Sequence, residues 1–85
     1  MMCGMIESFV AFTGQHCPGC GPVKEFLAKA KIAGKFLDIA DSAASDAAIR
    51  FAVRSLPTVI FFDRDSKEIG RAHSVSDVRE MLSVD

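Results

Sequence analysis

Residues 15–20 have the sequence QHCPGC, and residues 54–62 have the sequence RSLPTVIFF. The first stretch sets Cys17 and Cys20 one helical turn apart, and the second ends in five residues that are apolar at every position but the first. Strands that are covered on both faces have such runs, so residues 58–62 are predicted to form a central strand. Two cysteines at this spacing can hold a metal, close a small loop or exchange electrons with another disulfide.

The flanking residues predict seven elements in the order βαβαββα. Residues 6–12 favour a strand, and a helical period of apolar residues then runs from about Cys17 until Gly34 ends the helix. The later elements are predicted from the same two periodicities. A strand at 35–40 is followed by a helix at 41–53, for which Ser42, Ser45 and Asp46 are the cap candidates. After the central strand come a turn at 63–66 and a polar edge strand at 67–72. The last helix has Val75, Val78 and Leu82 on one face and Ser76 or Asp77 near its start.

The connections between these elements predict one α/β domain over residues 1–85. The first strand–helix–strand unit implies parallel pairing and a right-handed crossover. The last two strands are separated by only four residues, which implies an antiparallel hairpin. The expected fold is therefore a mixed four-stranded sheet flanked by three helices, and 85 residues suffice for one such core.

The composition excludes several classes of partner. Ten basic residues oppose eleven acidic ones, which gives no reason to expect binding to nucleic acid or to an anionic membrane. The N-terminal stretch MMCGMIESFVAF has no basic segment, and no apolar run approaches the roughly 18 residues of a membrane span. We expect a cytosolic protein that acts as a monomer.

The cysteine count favours redox chemistry over a structural role. Three cysteines are an odd number, and structural disulfides are rare in the cytosol. Zinc normally takes four ligands, whereas Cys3, His16 and His73 are scattered around a single CxxC, so no metal or other cofactor is predicted. Cys3 is expected to be a bystander.

The predicted helix start assigns a separate role to each thiol. Pro18 suits a first helical turn because its missing N–H has no partner there. Cys17 would then lie at the positive end of the helix dipole, which stabilises the thiolate that attacks disulfides. Cys20 lies one turn deeper and can attack the mixed disulfide that Cys17 forms. Closing so small a ring stabilises by only roughly 2 kcal/mol, which suits a redox couple better than a structural disulfide.

These residues together resemble the thioredoxin superfamily: CPGC follows a strand, SLPT precedes a buried strand, and the element order matches over essentially the whole chain. The resemblance implies that Pro57 follows a cis peptide bond and lies beside the cysteines, and that Leu56 offers its backbone to an extended client. A trans proline at a strand entry is the alternative. The other client-binding candidates around the cysteines are His16, Pro18, Gly19 and His73. A plain surface position is the alternative for both histidines, and His16 could also act on the Cys17 thiolate as a nearby cation.

Within the superfamily, the chain resembles miniature thioredoxins more than glutaredoxins. Threonine follows Pro57, as it does in thioredoxins, and RAHSVSD lacks the Gly-Gly of the glutathione signature, which leaves Asp77 as an expected helix cap. Three positions depart from the thioredoxin pattern, and because of these departures the sequence does not identify the group that deprotonates Cys20. They are His16 in place of tryptophan, Ala11 in place of a buried aspartate, and His73 or Ser74 near the place of a glycine that faces the cysteines.

The resemblance predicts a thiol–disulfide oxidoreductase that reduces protein disulfides. Cys17 attacks the client, Cys20 resolves the mixed disulfide, and a thioredoxin-reductase-like donor restores the dithiol. One alternative is a glutaredoxin-like protein that glutathione recharges. Another is a non-catalytic adaptor or redox sensor, although an adaptor has no need of both thiols.

Overall fold

The computed structural model describes residues 6–82, and its elements have the predicted order βαβαββα. The prediction about Cys3 falls outside the described residues. No helix within residues 6–82 is long and apolar enough to cross a membrane. The elements are β1 (Ser8–Thr13), α1 (Cys20–Lys29), β2 (Ala33–Asp38), α2 (Ser42–Arg50), β3 (Thr58–Phe62), β4 (Glu68–Ala72) and α3 (Val75–Leu82).

The four strands form one mixed sheet in the order β2-β1-β3-β4. β1 pairs with β2 in parallel, and β3 pairs antiparallel with both β1 and β4. The parallel first unit, the terminal hairpin and the central place of β3 are therefore confirmed. β4 is an edge strand, as its polar sequence predicted.

The sheet has a hydrophobic core on each face, which explains why β3 is apolar along its length. Val59 and Phe61 of β3 join residues of α1 and α3 in the first core. Ile60 points the other way and packs with Phe12 and with Ala47 of α2. Two helices therefore cover one face and one helix covers the other, because side chains alternate along a strand.

The boundary between α1 and β2 differs from the prediction. α1 ends at Lys29, and Gly34 lies inside β2, where it pairs with Phe9 of β1. A Cβ atom at residue 34 would overlap the Phe9 ring, so glycine is needed there for close packing and not to end a helix. β2 then ends at Asp38, whose carboxylate accepts a hydrogen bond from the Ala40 N–H at 2.9 Å and turns the chain.

The starts of the two later helices also differ from the prediction. Asp41 occupies the N-cap position of α2 and makes no side-chain cap bond, so the candidates Ser42, Ser45 and Asp46 were wrong. At α3, the Ser74 hydroxyl accepts a hydrogen bond from the Asp77 N–H at 3.1 Å. Asp77 in turn accepts one from the His73 N–H at 3.0 Å, so Asp77 lies near the start of α3 as predicted, but the side chain that caps the helix is that of Ser74 and not that of Ser76 or Asp77.

Candidate active site

Three connections meet at one end of the sheet. β1 ends where β3 begins, because the two strands are antiparallel and Phe12 pairs with Thr58. β4 ends beside the same point, since Val59 pairs with Ala72. The loop after β1, the segment before β3 and the residues after β4 are thus brought together, and they carry the cysteines, Pro57 and His73.

Cys17 and Cys20 form a disulfide in which the two residues have unequal exposure. Their Cα atoms are 5.4 Å apart, and the Cys20 N–H donates a hydrogen bond to the Cys17 carbonyl at 3.1 Å. Cys20 is only 3% exposed, whereas Cys17 is half-buried. A partner molecule can therefore approach Cys17 more readily than Cys20.

The helix that carries the pair begins later than predicted. α1 starts at Cys20, and Gly19 is its N-cap residue, so residues 17–19 form a turn ahead of the helix. Pro22 occupies the first helical turn that was predicted for Pro18, and it too lacks an N–H that would need a partner there. The helix dipole therefore acts on Cys17 from farther away than the sequence suggested. Gly19 has no side chain that could cap α1, and the first turn of the helix contains no acidic residue.

Pro57 lies against the cysteine loop. The Leu56–Pro57 peptide bond is cis, as the resemblance implied, and Pro57 is buried. A Cβ atom at residue 19 would lie 3.3 Å from the Pro57 Cδ. The absence of a side chain at Gly19 is what lets the proline ring approach the turn between the cysteines.

A groove of about 520 Å³ runs from Cys17 towards α2. Its lining includes Ile39, Leu56 and Ile49, and the last of these is 75% exposed. Sequence reasoning missed Ile39 and Ile49 as site residues. A signal for Ile49 existed, since Ala44, Ala47 and Ala48 recur at helical spacing on one face of α2 and Ile49 lies off that face.

Arg54 gives this groove a positive charge, and among the described residues that line it none is an aspartate or a glutamate. The ion pair found within residues 6–82 lies elsewhere, on β4, where the Arg71 guanidinium donates hydrogen bonds to Glu68. That guanidinium holds the pKa of the Glu68 carboxyl below its usual value, and Glu68 raises the pKa of Arg71.

No buried carboxylate lies behind the cysteines in the described part of the chain. Ala11, where a buried aspartate would be expected from the resemblance, is fully enclosed in the first core. The buried polar side chains within residues 6–82 are those of Thr13 and Thr58. Residues 6–82 also contain no group of three or more His, Cys, Asp or Glu side chains that could hold a metal ion.

The two candidate histidines occupy different settings. His16 is an exposed residue at the rim of the groove. His73 is also exposed, but its Nδ1 lies 3.3 Å from the hydroxyl of Thr58, the buried residue that directly follows Pro57. Sequence reasoning named His73 and missed Thr58, because the contact joins two strands at a point that only the strand pairing defines.

Comparison with known proteins identifies the fold. No protein-family model matches the sequence, and no curated protein matches it. Thioredoxin O2 from Arabidopsis thaliana in its oxidised state has a TM-score of 0.75 and 21% identity, over 95% of this chain and 78% of that one. A thioredoxin from Thermus thermophilus has a TM-score of 0.66 and 19% identity, over 92% and 72%.

The thioredoxin-like protein BC3987 is similar over nearly its whole length. Its TM-score is 0.64 and its identity 26%, over 87% of this chain and 99% of that one. This chain therefore has the thioredoxin fold.

Proposed function

We propose that this chain, which has the thioredoxin fold, is a thiol–disulfide oxidoreductase that reduces disulfides in client proteins. The observation that carries the proposal is the unequal exposure of Cys17 and Cys20 beside Pro57. A reductase of this kind needs one sulfur that clients can reach and a second that meets only the first. A disulfide with a purely structural role does not require one cysteine to be more exposed than the other.

The reaction follows from these two environments. The Cys17 thiolate attacks one sulfur of the client disulfide, so a Cys17–client bond forms and the other client sulfur leaves as a thiolate. Cys20 then loses its proton and attacks the Cys17 sulfur. The Cys17–Cys20 disulfide forms, the second client thiolate leaves, and two electrons have passed to the client.

The proton of Cys20 has no buried carboxylate to accept it among residues 6–82. We assign it to water or to the client thiolate released in the first step. That thiolate is a suitable base because it leaves beside the active site with a pKa in the ordinary thiol range, about 8.5.

The client docks on Leu56 and in the groove that leads away from Cys17. An extended client segment can pair with the Leu56 backbone, while Pro18, Gly19 and His16 lie around Cys17, which attacks the client disulfide. Ile39 and Ile49 offer an apolar surface for client side chains beyond the disulfide. We propose that this occurs in the cytosol, with the protein as a monomer.

The electron donor that restores the dithiol is a thioredoxin-reductase-like enzyme. The capping of α3 supports this choice over glutathione, because the Asp77 carboxylate is already engaged by the His73 N–H. The deciding experiment gives the oxidised protein either thioredoxin reductase with NADPH or glutathione, and follows the appearance of thiols. Faster reduction by the reductase is expected. Faster reduction by glutathione would make the protein glutaredoxin-like, and reduction by neither would favour the adaptor or sensor.

The docking surface has its own experiment. Ile49→Asp should raise the KM for a disulfide-bonded client protein about five- to tenfold, since it removes an apolar contact of about 1–1.5 kcal/mol. Reduction of a small-molecule disulfide, which needs only the thiols, should change little. Ile69→Asp is the matched control, because Ile69 is an exposed isoleucine on β4 and does not line the groove. Equal effects of the two substitutions would remove the groove from the docking surface.

A further inference from the structure

The buried hydroxyl of Thr58 links two parts of the active-site end. Thr58 is completely buried and directly follows Pro57. Its Oγ1 lies 2.6 Å from the Ser55 carbonyl oxygen and 3.3 Å from Nδ1 of His73. The hydroxyl therefore touches the start of the segment that contains Leu56 and, on its other side, the residue after β4.

Counting hydrogens settles the direction of each bond. A threonine hydroxyl has one hydrogen, and a carbonyl oxygen can only accept, so that hydrogen is used on Ser55. The contact with His73 can then be a hydrogen bond only if Nδ1 carries the donated hydrogen. If this contact is a hydrogen bond, neutral His73 has its hydrogen on Nδ1 and its free lone pair on Nε2.

The backbone of His73 is anchored as well. Its N–H donates to the Asp77 carboxylate at 3.0 Å, and Asp77 is tied in turn to the Ser74 hydroxyl at the start of α3. His73 thus has its main chain fixed to α3 and its ring fixed to Thr58. A glycine, which the resemblance would lead one to expect near His73 or Ser74, could not make the ring contact.

We propose that His73 is a positioning residue for the client-docking segment 55–58, acting through the Thr58 hydroxyl. The inference rests on the proposed function, in which the client pairs with the Leu56 backbone. Donation from His73 holds the hydroxyl in the orientation that binds the Ser55 carbonyl, so both ends of the segment are fixed before a client arrives. Without it, part of the client's binding free energy is spent on ordering the segment.

The kinetic test uses substitutions at His73. His73→Leu removes the donor at similar volume, and the KM for a client protein should rise about two- to tenfold, the range expected for one hydrogen bond. The kcat value and the alkylation rate of reduced Cys17 should stay within about twofold, because the thiols are untouched. His73→Asn should restore the KM, since the asparagine Nδ2 is as many bonds from Cα as the histidine Nδ1 and also donates.

A matched control separates positioning from general stability. Ser74→Ala deletes a hydrogen bond at the same helix start but leaves the ring contact of His73 intact. It should lower the melting temperature without raising the KM. If Ser74→Ala and His73→Leu raised the KM equally, or if His73→Asn failed to rescue, the positioning role would be refuted.

A spectroscopic readout tests the hydrogen bond independently of turnover. Long-range ¹⁵N–¹H spectra at mildly alkaline pH, where imidazole is neutral, distinguish a hydrogen on Nδ1 from one on Nε2. We expect His73 to carry it on Nδ1, whereas a neutral imidazole without a hydrogen-bond partner carries it mainly on Nε2. A hydrogen on Nε2 of His73 would overturn the inference. If the wild-type protein reduced no client, the proposed function would fail, and these spectra would still decide whether Thr58 and His73 are linked.

Discussion

The starts of α1 and α3 lie at the same end of the sheet, yet they are built in opposite ways. At the start of α3, the side chains of Ser74 and Asp77 accept hydrogen bonds from the N–H groups of Asp77 and His73. α1 begins after Gly19, with no side-chain cap and no acidic residue in its first turn. The uncapped start belongs to the helix that carries the cysteines. A helix start without a protein anion can stabilise a thiolate, whereas a capped start only stabilises the helix.

The largest expected effect comes from removing the sulfur atoms at the start of α1. Cys17→Ser should abolish client reduction, because the more accessible, attacking cysteine is lost. Cys20→Ser should still attack but stop as a mixed disulfide, since no second sulfur can displace the client. Mass spectrometry of the non-reduced reaction measures that adduct. Normal turnover by Cys20→Ser would contradict the assignment of the two roles.

A second prediction gives α1 the kind of cap that α3 has. Gly19→Asp places a carboxylate at the N-cap position, which should raise the pKa of the reduced Cys17 thiol by charge repulsion. Alkylation of Cys17 at neutral pH should slow about two- to fivefold, the factor that corresponds to typical charge effects at a helix start.

Gly19→Ala is the control for this substitution, because it adds the same Cβ atom 3.3 Å from the Pro57 Cδ without adding charge. Client reduction should fall in both variants, since both crowd the proline. Alkylation should slow only in Gly19→Asp. The same slowing in both variants would mean that crowding, and not charge, controls the reactivity of Cys17.

The contrast between the helix starts shows what the sequence could and could not predict. The spacing of the cysteine pair and the central strand β3 were predictable from residue types within a short stretch, whereas the cis bond at Pro57 was an implication of the resemblance. The start of α1 was not, since Pro18 fits a turn and a first helical turn equally well. Gly34 was misassigned because a glycine that ends a helix and one that admits the Phe9 ring look the same in sequence. The contact between Thr58 and His73 was not predictable, because it depends on how β3 and β4 pair.

A third prediction removes the cap from α3. Ser74→Ala should lower the free energy of unfolding by about 1 kcal/mol, the usual contribution of an N-cap side chain. For a domain of this size, that lowers the melting temperature by about 4–8 °C. Ser76→Ala is the matched control, an exposed serine that sequence reasoning also considered as a cap. If Ser76→Ala lowered the melting temperature as much as Ser74→Ala, the capping assignment would be contradicted. The alkylation rate of Cys17 should be unchanged in both variants.

The smallest expected effect lies outside both helix starts, at the ion pair between Glu68 and Arg71 on β4. Arg71 lowers the pKa of Glu68, so the pair stabilises the fold above the unfolded-state value, about 4.3 for a glutamate. That stability is lost as the pH falls through the lower, folded-state pKa. Both side chains are about one-third exposed, which limits the contribution to about 0.2–1 kcal/mol.

Glu68→Gln should therefore lower the free energy of unfolding slightly at neutral pH and not at all once wild-type Glu68 is protonated. Urea unfolding at neutral and at acid pH measures the difference. Glu80→Gln serves as the control, because the ion pairs found within residues 6–82 do not include Glu80. A deficit that persisted unchanged into acid would show that Glu68 stabilises β4 by packing and not by its charge. The charged contact would then contribute less than the cap at Ser74, because a surface ion pair contributes little once solvent screens it.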